Sequence, residues 1–260
     1  MDVDEISLKV PEGIRTPKTN EECKRGTFEM MKKHNILGVV SGEPYNGEWK
    51  RDLPDRIIAG RTVMELHTTP VNELRKALKE KRYEVIGEVG NQYFGIAPND
   101  PVLDPYWGLA EELDAPVCIH TGMGPPDPPN FLPTYRAHLS NPLLYEDVII
   151  RHPKVRIWLA HAGWPYVEDL LNMMWHYPQI HVDVSFIDWC IAPKEFHRYL
   201  GRIVDAGFCD RVMFGSDQMK WPDAIPYAIN AVRSAEYLTG EQKQDILLNN
   251  AARFLRLDVD

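Results

Sequence analysis

The stretch VRIWLAHAG (155–163) is apolar almost without interruption and then closes on His161 and Gly163. A strand with one wet face alternates. A run like this one fits a parallel strand covered on both sides, packed inward on a core and outward on helices. Six further strand-like runs recur, most of the same character: ILGVVSG (36–42), RIIAG (56–60), YEVIGEVG (83–90), PVCIHTG (116–122), IHVDVSF (180–186) and RVMFGSD (211–217). Helical segments separate them, and a βαβα order implies a parallel sheet, open or closed. With 260 residues the chain is close to the roughly 250 that a closed ring of eight β/α units requires. The expectation is an α/β fold, a β/α barrel formed by residues 19–260. Residues 1–18 are left as an N-terminal arm or, through ISLKV (6–10), a replacement strand.

The helices carry their own punctuation. Thr19 with Glu22, and Thr239 with Gln242, fit capping boxes, and Pro70, Pro142, Pro165 and Pro222 stand near other helix starts, where a missing amide costs nothing. GMGPPDPPNFLP (122–133) holds five prolines and reads as a loop without helix, either walling one side of a site at His120 or serving as a rigid surface connection.

Composition excludes several classes. A net charge of −9 repels polyphosphate, so no nucleic acid is expected. No apolar run approaches the roughly 20 residues that span a bilayer, and the acidic opening MDVDEISLKV is unlike a secretion signal; a soluble, cytoplasmic protein without membrane contact is expected. Cys23, Cys118, Cys190 and Cys209 lack CxxC spacing and read as reduced core thiols.

Four polar residues break the apolar pattern at the ends of runs: Glu88, His120, His161 and Asp217. A carboxylate buried at the end of VIGEV needs a partner, either a metal or an Arg or Lys. Singly, each residue has an ordinary structural reading. As a set they come from four strand ends on the edge where barrels build active sites, and carboxylate oxygen with imidazole nitrogen suits zinc, manganese or iron(II).

The segments PVCIHTG, RIWLAHAGW and RVMFGSD, with the closing NNAARFL, resemble the amidohydrolase superfamily in its amidohydrolase-related branch, over residues 20–257. The resemblance implies a distorted TIM (β/α)8-like barrel whose first strand is missing or replaced, with one or two divalent metals, zinc foremost. It implies His120, His161 and Asp217 as metal ligands, Asp217 also taking the proton from the attacking water. Glu88 resembles the strand-four carboxylate ligand of some members. The family's opening His-x-His motif does not occur. Three readings follow: the site uses Glu88, His120 and His161 alone, the chain is shortened at its start, or the barrel is degenerate.

Trp164, Trp221, Tyr93 and His67 are candidate substrate contacts beside a packing role, and Arg61, Arg136 and Lys220 are candidate carboxylate anchors. His152 and His176 are expected at helix ends. The expected activity is metal-dependent hydrolysis of a small organic ester, lactone or amide by an activated water. Decarboxylation of a small unsaturated or aromatic acid is the alternative, and a non-catalytic barrel that binds a ligand or partner is the rival. An incomplete barrel would leave strand edges that favour a homo-oligomer.

Overall fold

Each of the seven apolar runs becomes a parallel strand: β1 (Gly38–Val40), β2 (Ile57–Val63), β3 (Val85–Val89), β4 (Val117–His120), β5 (Ile157–Ala160), β6 (Ile180–Asp183) and β7 (Val212–Met213). The computed structural model describes residues 10–42, 45–63 and 66–258. The run ISLKV therefore lies outside the described residues except for Val10, which has no regular secondary structure. Two compact units divide the chain, Leu37–Ile180 and the pair of segments Met1–Ile36 and His181–Asp260.

In Leu37–Ile180, β1 to β5 lie side by side in chain order, with registers such as Val39↔Ile58, Ile86↔Val117 and His120↔Ala160. Helices Asn46–Asp52, Val71–Lys79, Asp104–Glu112 and Glu146–Arg151 fill the crossovers, and Val167–His176 follows β5. The strand interiors are sealed: Val85, Val117, Ile119, Ile157 and Leu159 have no exposed surface, each worth about 1.5–3 kcal/mol of transfer free energy. Pairing of β3 slips in register on both sides, between Arg61 and Val63 and between Ile86 and Val89. Gly87, at φ +134°, permits this. A Cβ there would lie 2.5 Å from the carbonyl oxygen of Cys118, so only glycine lets β3 approach β4 this closely. The irregularity falls immediately before Glu88 and re-aims it, as bulges near sites do.

In the other unit β6 pairs with β7 through Val182↔Val212 and Asp183↔Met213. Helices Asn20–Lys33, Pro193–Asp205 and Ala224–Arg233 accompany them. The last helical stretch runs from Gly240–Gln244 through a π-helical turn, Asp245–Asn249, into Asn250–Leu255. Asn250, fully buried, ties it to β7 by donating from Nδ2 to the carbonyls of Cys209 (2.8 Å) and Val212 (2.6 Å).

The caps are half as regular as the sequence suggests. Thr239 and Gln242 form the full reciprocal box. Thr19 Oγ1 accepts from the amide of Glu22 (3.1 Å), but Glu22 Oε2 takes the amide of Lys18 (2.8 Å) in place of that of Thr19. The loop 122–133 corrects its expectation: Pro128–Phe131 forms one helical turn. Prolines in a first turn give up no hydrogen bond, so two of them open this turn instead of preventing it. None of the four cysteines is in a disulfide, and each is half-buried instead of fully inside. His152 follows a helix and His176 ends one, as expected. His152, however, faces Asp104 Oδ1 (3.2 Å) and not terminal carbonyls. Among the described residues no helix is long and apolar enough to cross a membrane.

Candidate metal centre

Three adjacent strands of the Leu37–Ile180 unit bring Glu88, His120 and His161 together. Glu88 is the fourth residue of β3, His120 the last of β4, and His161 the first residue past β5. Because His120 pairs with Ala160, parallel register alone places His161 one step beyond it. The backbone at His161 is left-handed (φ +61°), followed by Ala162 (φ +47°) and Gly163 (φ +66°). Non-glycine residues held there cost about 1–3 kcal/mol each and concentrate at functional sites.

The atoms converge in a triangle. Glu88 Oε1 lies 2.6 Å from His120 Nδ1 and 3.4 Å from His161 Nε2, and the two ring nitrogens are 3.2 Å apart. Both histidines are buried, His161 to 2% exposure and His120 to 7%. Burial pushes the Glu88 carboxyl up, but the charge and hydrogen bond of His120, with those of His161, outweigh it and hold the group well below the usual carboxylate range. Among the described residues this is the only trio of metal-capable side chains with mutually adjacent ligand atoms.

The tautomer of His120 follows from its other nitrogen. Nε2 lies 2.7 Å from the carbonyl oxygen of Met123. A carbonyl only accepts, so Nε2 carries the proton and Nδ1 turns toward Glu88. Two electron-rich atoms 2.6 Å apart require a positive charge between them, a proton or a metal ion. Zinc with ligands about 2.0–2.2 Å away spaces them by roughly 3.3 Å in a tetrahedron. The two distances to His161 Nε2 meet that spacing, and the third is the hydrogen bond a proton occupies. The residues fit a divalent cation, and the carbonyl behind His120 is the outer partner that metal-bound histidines usually have.

The other sequence candidates fall in both units. Asp217 belongs to the His181–Asp260 segment, half-buried and left-handed (φ +39°). Trp221, in the same unit, is buried with its indole N–H given to Thr16 Oγ1 (2.9 Å) and its ring edge-on to Trp189, which favours its packing role. Tyr93 stands at the trio, its hydroxyl 3.3 Å from His120 Nε2. Trp164 is half-buried three residues past His161, and His67 is half-buried in a 3-10 turn, its Nδ1 without a hydrogen-bond partner among the described residues. Arg136 bonds the carbonyls of Pro133 and Tyr135, Arg61 lies over Tyr83, and Lys220 over Trp221.

Sequence reasoning missed Gln92, Met123 and Tyr135. Gln92, fully buried, donates from Nε2 to the carbonyl of His120 (3.1 Å). A polar amide three residues past a strand is its one signal. Met123 contributes a backbone oxygen, which no side-chain pattern announces.

A family model described as Amidohydrolase matches residues 42–257. The chain belongs to the amidohydrolase family. The matched segment covers β2 to β7. A sequence relative, protein fluG of Emericella nidulans, is 22% identical over 158 residues, 55% of this chain but 18% of that protein. This amidohydrolase chain thus spans less than a fifth of that relative's length. An uncharacterized TIM-barrel protein from Bordetella bronchiseptica superposes with TM-score 0.71 at 17% identity, over 94% of this chain and 86% of that one. A probable 2-pyrone-4,6-dicarboxylic acid hydrolase from Acinetobacter baumannii, with citric acid bound, gives 0.67 at 16%, over 97% of both. A dihydroxybenzoic acid decarboxylase from Polaromonas sp. JS666, with manganese and the inhibitor 2-nitroresorcinol bound, gives 0.61 at 15%, over 90% and 86%. These likenesses establish the fold as a distorted TIM-type α/β barrel.

Proposed function

We propose that this amidohydrolase binds one divalent cation, zinc foremost, through Glu88, His120 and His161, and hydrolyses a small organic ester, lactone or amide. The observation that carries the reading is the 2.6 Å approach of Glu88 Oε1 to His120 Nδ1 with His161 Nε2 within 3.4 Å of both. A bound divalent cation supplies Lewis acidity toward a carbonyl and lowers the pKa of a water to about 7. Glu88 would contribute an anionic oxygen ligand, and His120 and His161 would each contribute an imidazole nitrogen. Asp217 is assigned as general base and further ligand: it takes a proton from the attacking water and returns it to the leaving group. His67, Tyr93, Trp164 and Trp221 are the side chains assigned to substrate contact.

Three protein ligands suffice for a catalytic zinc, so absence of a His-x-His pair does not remove the chemistry. Decarboxylation of a small aromatic or unsaturated acid is the second reading, supported by the likeness to the manganese-holding decarboxylase. Elemental analysis of chain purified without chelator tests the metal. About one ion per chain is expected, lost in His120→Ala, His161→Ala and Glu88→Gln. No ion after reconstitution would overturn the reading in favour of a ligand-binding barrel. Product analysis then separates the reactions: released carbon dioxide marks a decarboxylase, an acid and an alcohol or amine a hydrolase.

A further inference from the structure

Four rings form a continuous edge-to-face series in the Leu37–Ile180 unit. Tyr135 meets Tyr93 with ring centroids 5.4 Å apart and planes at 64°. Tyr93 meets His120 at 5.1 Å and 75°, and His120 meets His161 at 4.7 Å and 71°. All four are buried, and edge-to-face pairs of aromatic rings contribute about 0.5–1.5 kcal/mol beyond their area, so the orientation of each ring depends on the next. The two histidines already belong to the metal trio. The tyrosines have no assigned part in holding it.

Tyr93 is fixed from several directions. Its carbonyl accepts from Thr134 Oγ1 (2.6 Å) and its amide donates to Gly90 (3.0 Å). Arg136 donates its amide to the neighbouring carbonyl of Gln92 (3.3 Å). At the far side of Tyr135 sits Gly124, where a Cβ would run into the end of the Tyr135 ring. One residue earlier, the Met123 carbonyl holds His120 Nε2. The same nitrogen lies 3.3 Å from Tyr93 Oη. His120 Nε2–H is thus shared between a strong acceptor on the loop and a weaker one on a ring that the loop's other flank supports.

Resting on the proposed metal site, we propose that Tyr93 is a positioning residue: by its ring edge and its hydroxyl it fixes the plane of the His120 ring, whose tautomer the Met123 carbonyl sets, and thereby the affinity of the site for metal. Its role as a substrate contact is separate. Outer partners of metal-bound histidines typically contribute 10–100-fold in affinity, and Tyr93 shares that part with Met123.

The test is cobalt(II) binding by the full chain and by Tyr93→Phe, measured by competition with a chromophoric chelator and by the visible absorption of bound cobalt. Tyr93→Phe keeps the ring and removes the hydroxyl. It is expected to bind cobalt roughly 10-fold more weakly, at the low end of the outer-partner range, with an altered absorption envelope and unchanged thermal stability. Tyr93→Leu, which also removes the ring edge, is expected to lose more. A Tyr93→Phe chain with wild-type affinity and spectrum overturns the proposal while leaving the metal site standing. A wild-type chain that takes up no cobalt overturns the metal site, and this role with it.

Discussion

Asp188 is 6% exposed, and among the described residues neither of its carboxyl oxygens finds a donor on another residue. Burial pushes its carboxyl well above the usual range, and the neighbouring charge of Asp183 pushes the same way, with Asp217 adding to it. The side chain is therefore a neutral acid where an unfolded chain would carry an anion. The folded state binds the extra proton, so its contribution to stability is complete below the ordinary carboxylate pKa. It declines as pH rises toward the raised value. Asp188→Asn removes that dependence. In urea unfolding, the stability of the variant relative to wild type is expected to rise with pH above about 4, by at most about 1.4 kcal/mol per pH unit. A difference that stays flat between pH 5 and 8 would contradict this. Asp188 carries a signal that the sequence reading leaves unused, since an acid between Ile187 and Trp189 is as conspicuous as Glu88 in VIGEV. Glu88, His120 and His161 were legible because each ends an apolar run. The outer partners were not, since Met123 acts through its backbone and Tyr135 through packing.

Among the elements, strands were read most closely. A doubly covered parallel strand is apolar nearly throughout, and that requirement marks most of the seven strands in one dimension, whereas β6 (IHVD) alternates. Caps were less secure, because a box needs two hydrogen bonds and the sequence states only the residue types. Glu22 had Lys18 within reach as well as Thr19 and took it. At the C-terminal helix both bonds form, so Thr239→Ala should cost about 1 kcal/mol. That corresponds to a fall of about 2–4 °C in Tm for a chain of this size, measurable by circular dichroism. Thr19→Ala loses one bond of the two and should cost less. The proline loop was misread at Pro128–Phe131 because the rule against proline applies to helix interiors and not to first turns.

At the scale of the whole molecule, length and alternation pointed to a barrel, and likeness to solved TIM barrels over nearly the full chain bears that out. Metal binding is expected to be a property of global stability as well as of chemistry. An ion that binds only the folded chain adds about 2.7 kcal/mol when present at 100 times its Kd. Calorimetry before and after chelation should show a corresponding fall in Tm that added zinc restores. Glu88→Gln should melt at the same temperature with and without chelator.

The origin of the trio in three neighbouring strands bears on which changes of length the chain can absorb during its descent. Side chains alternate faces along a strand, so dropping one residue within β4 or β5 turns every later side chain of that strand to the opposite face. A deletion between Val117 and His120 would send His120 away from Glu88 while preserving every amino-acid type in the site. The connections Asp104–Glu112 and Glu146–Arg151 tolerate lengthening, because parallel register is restored at the next strand. Lineages of this chain should therefore differ in length between the strands and agree in length within them, independently of which substrate each has come to use.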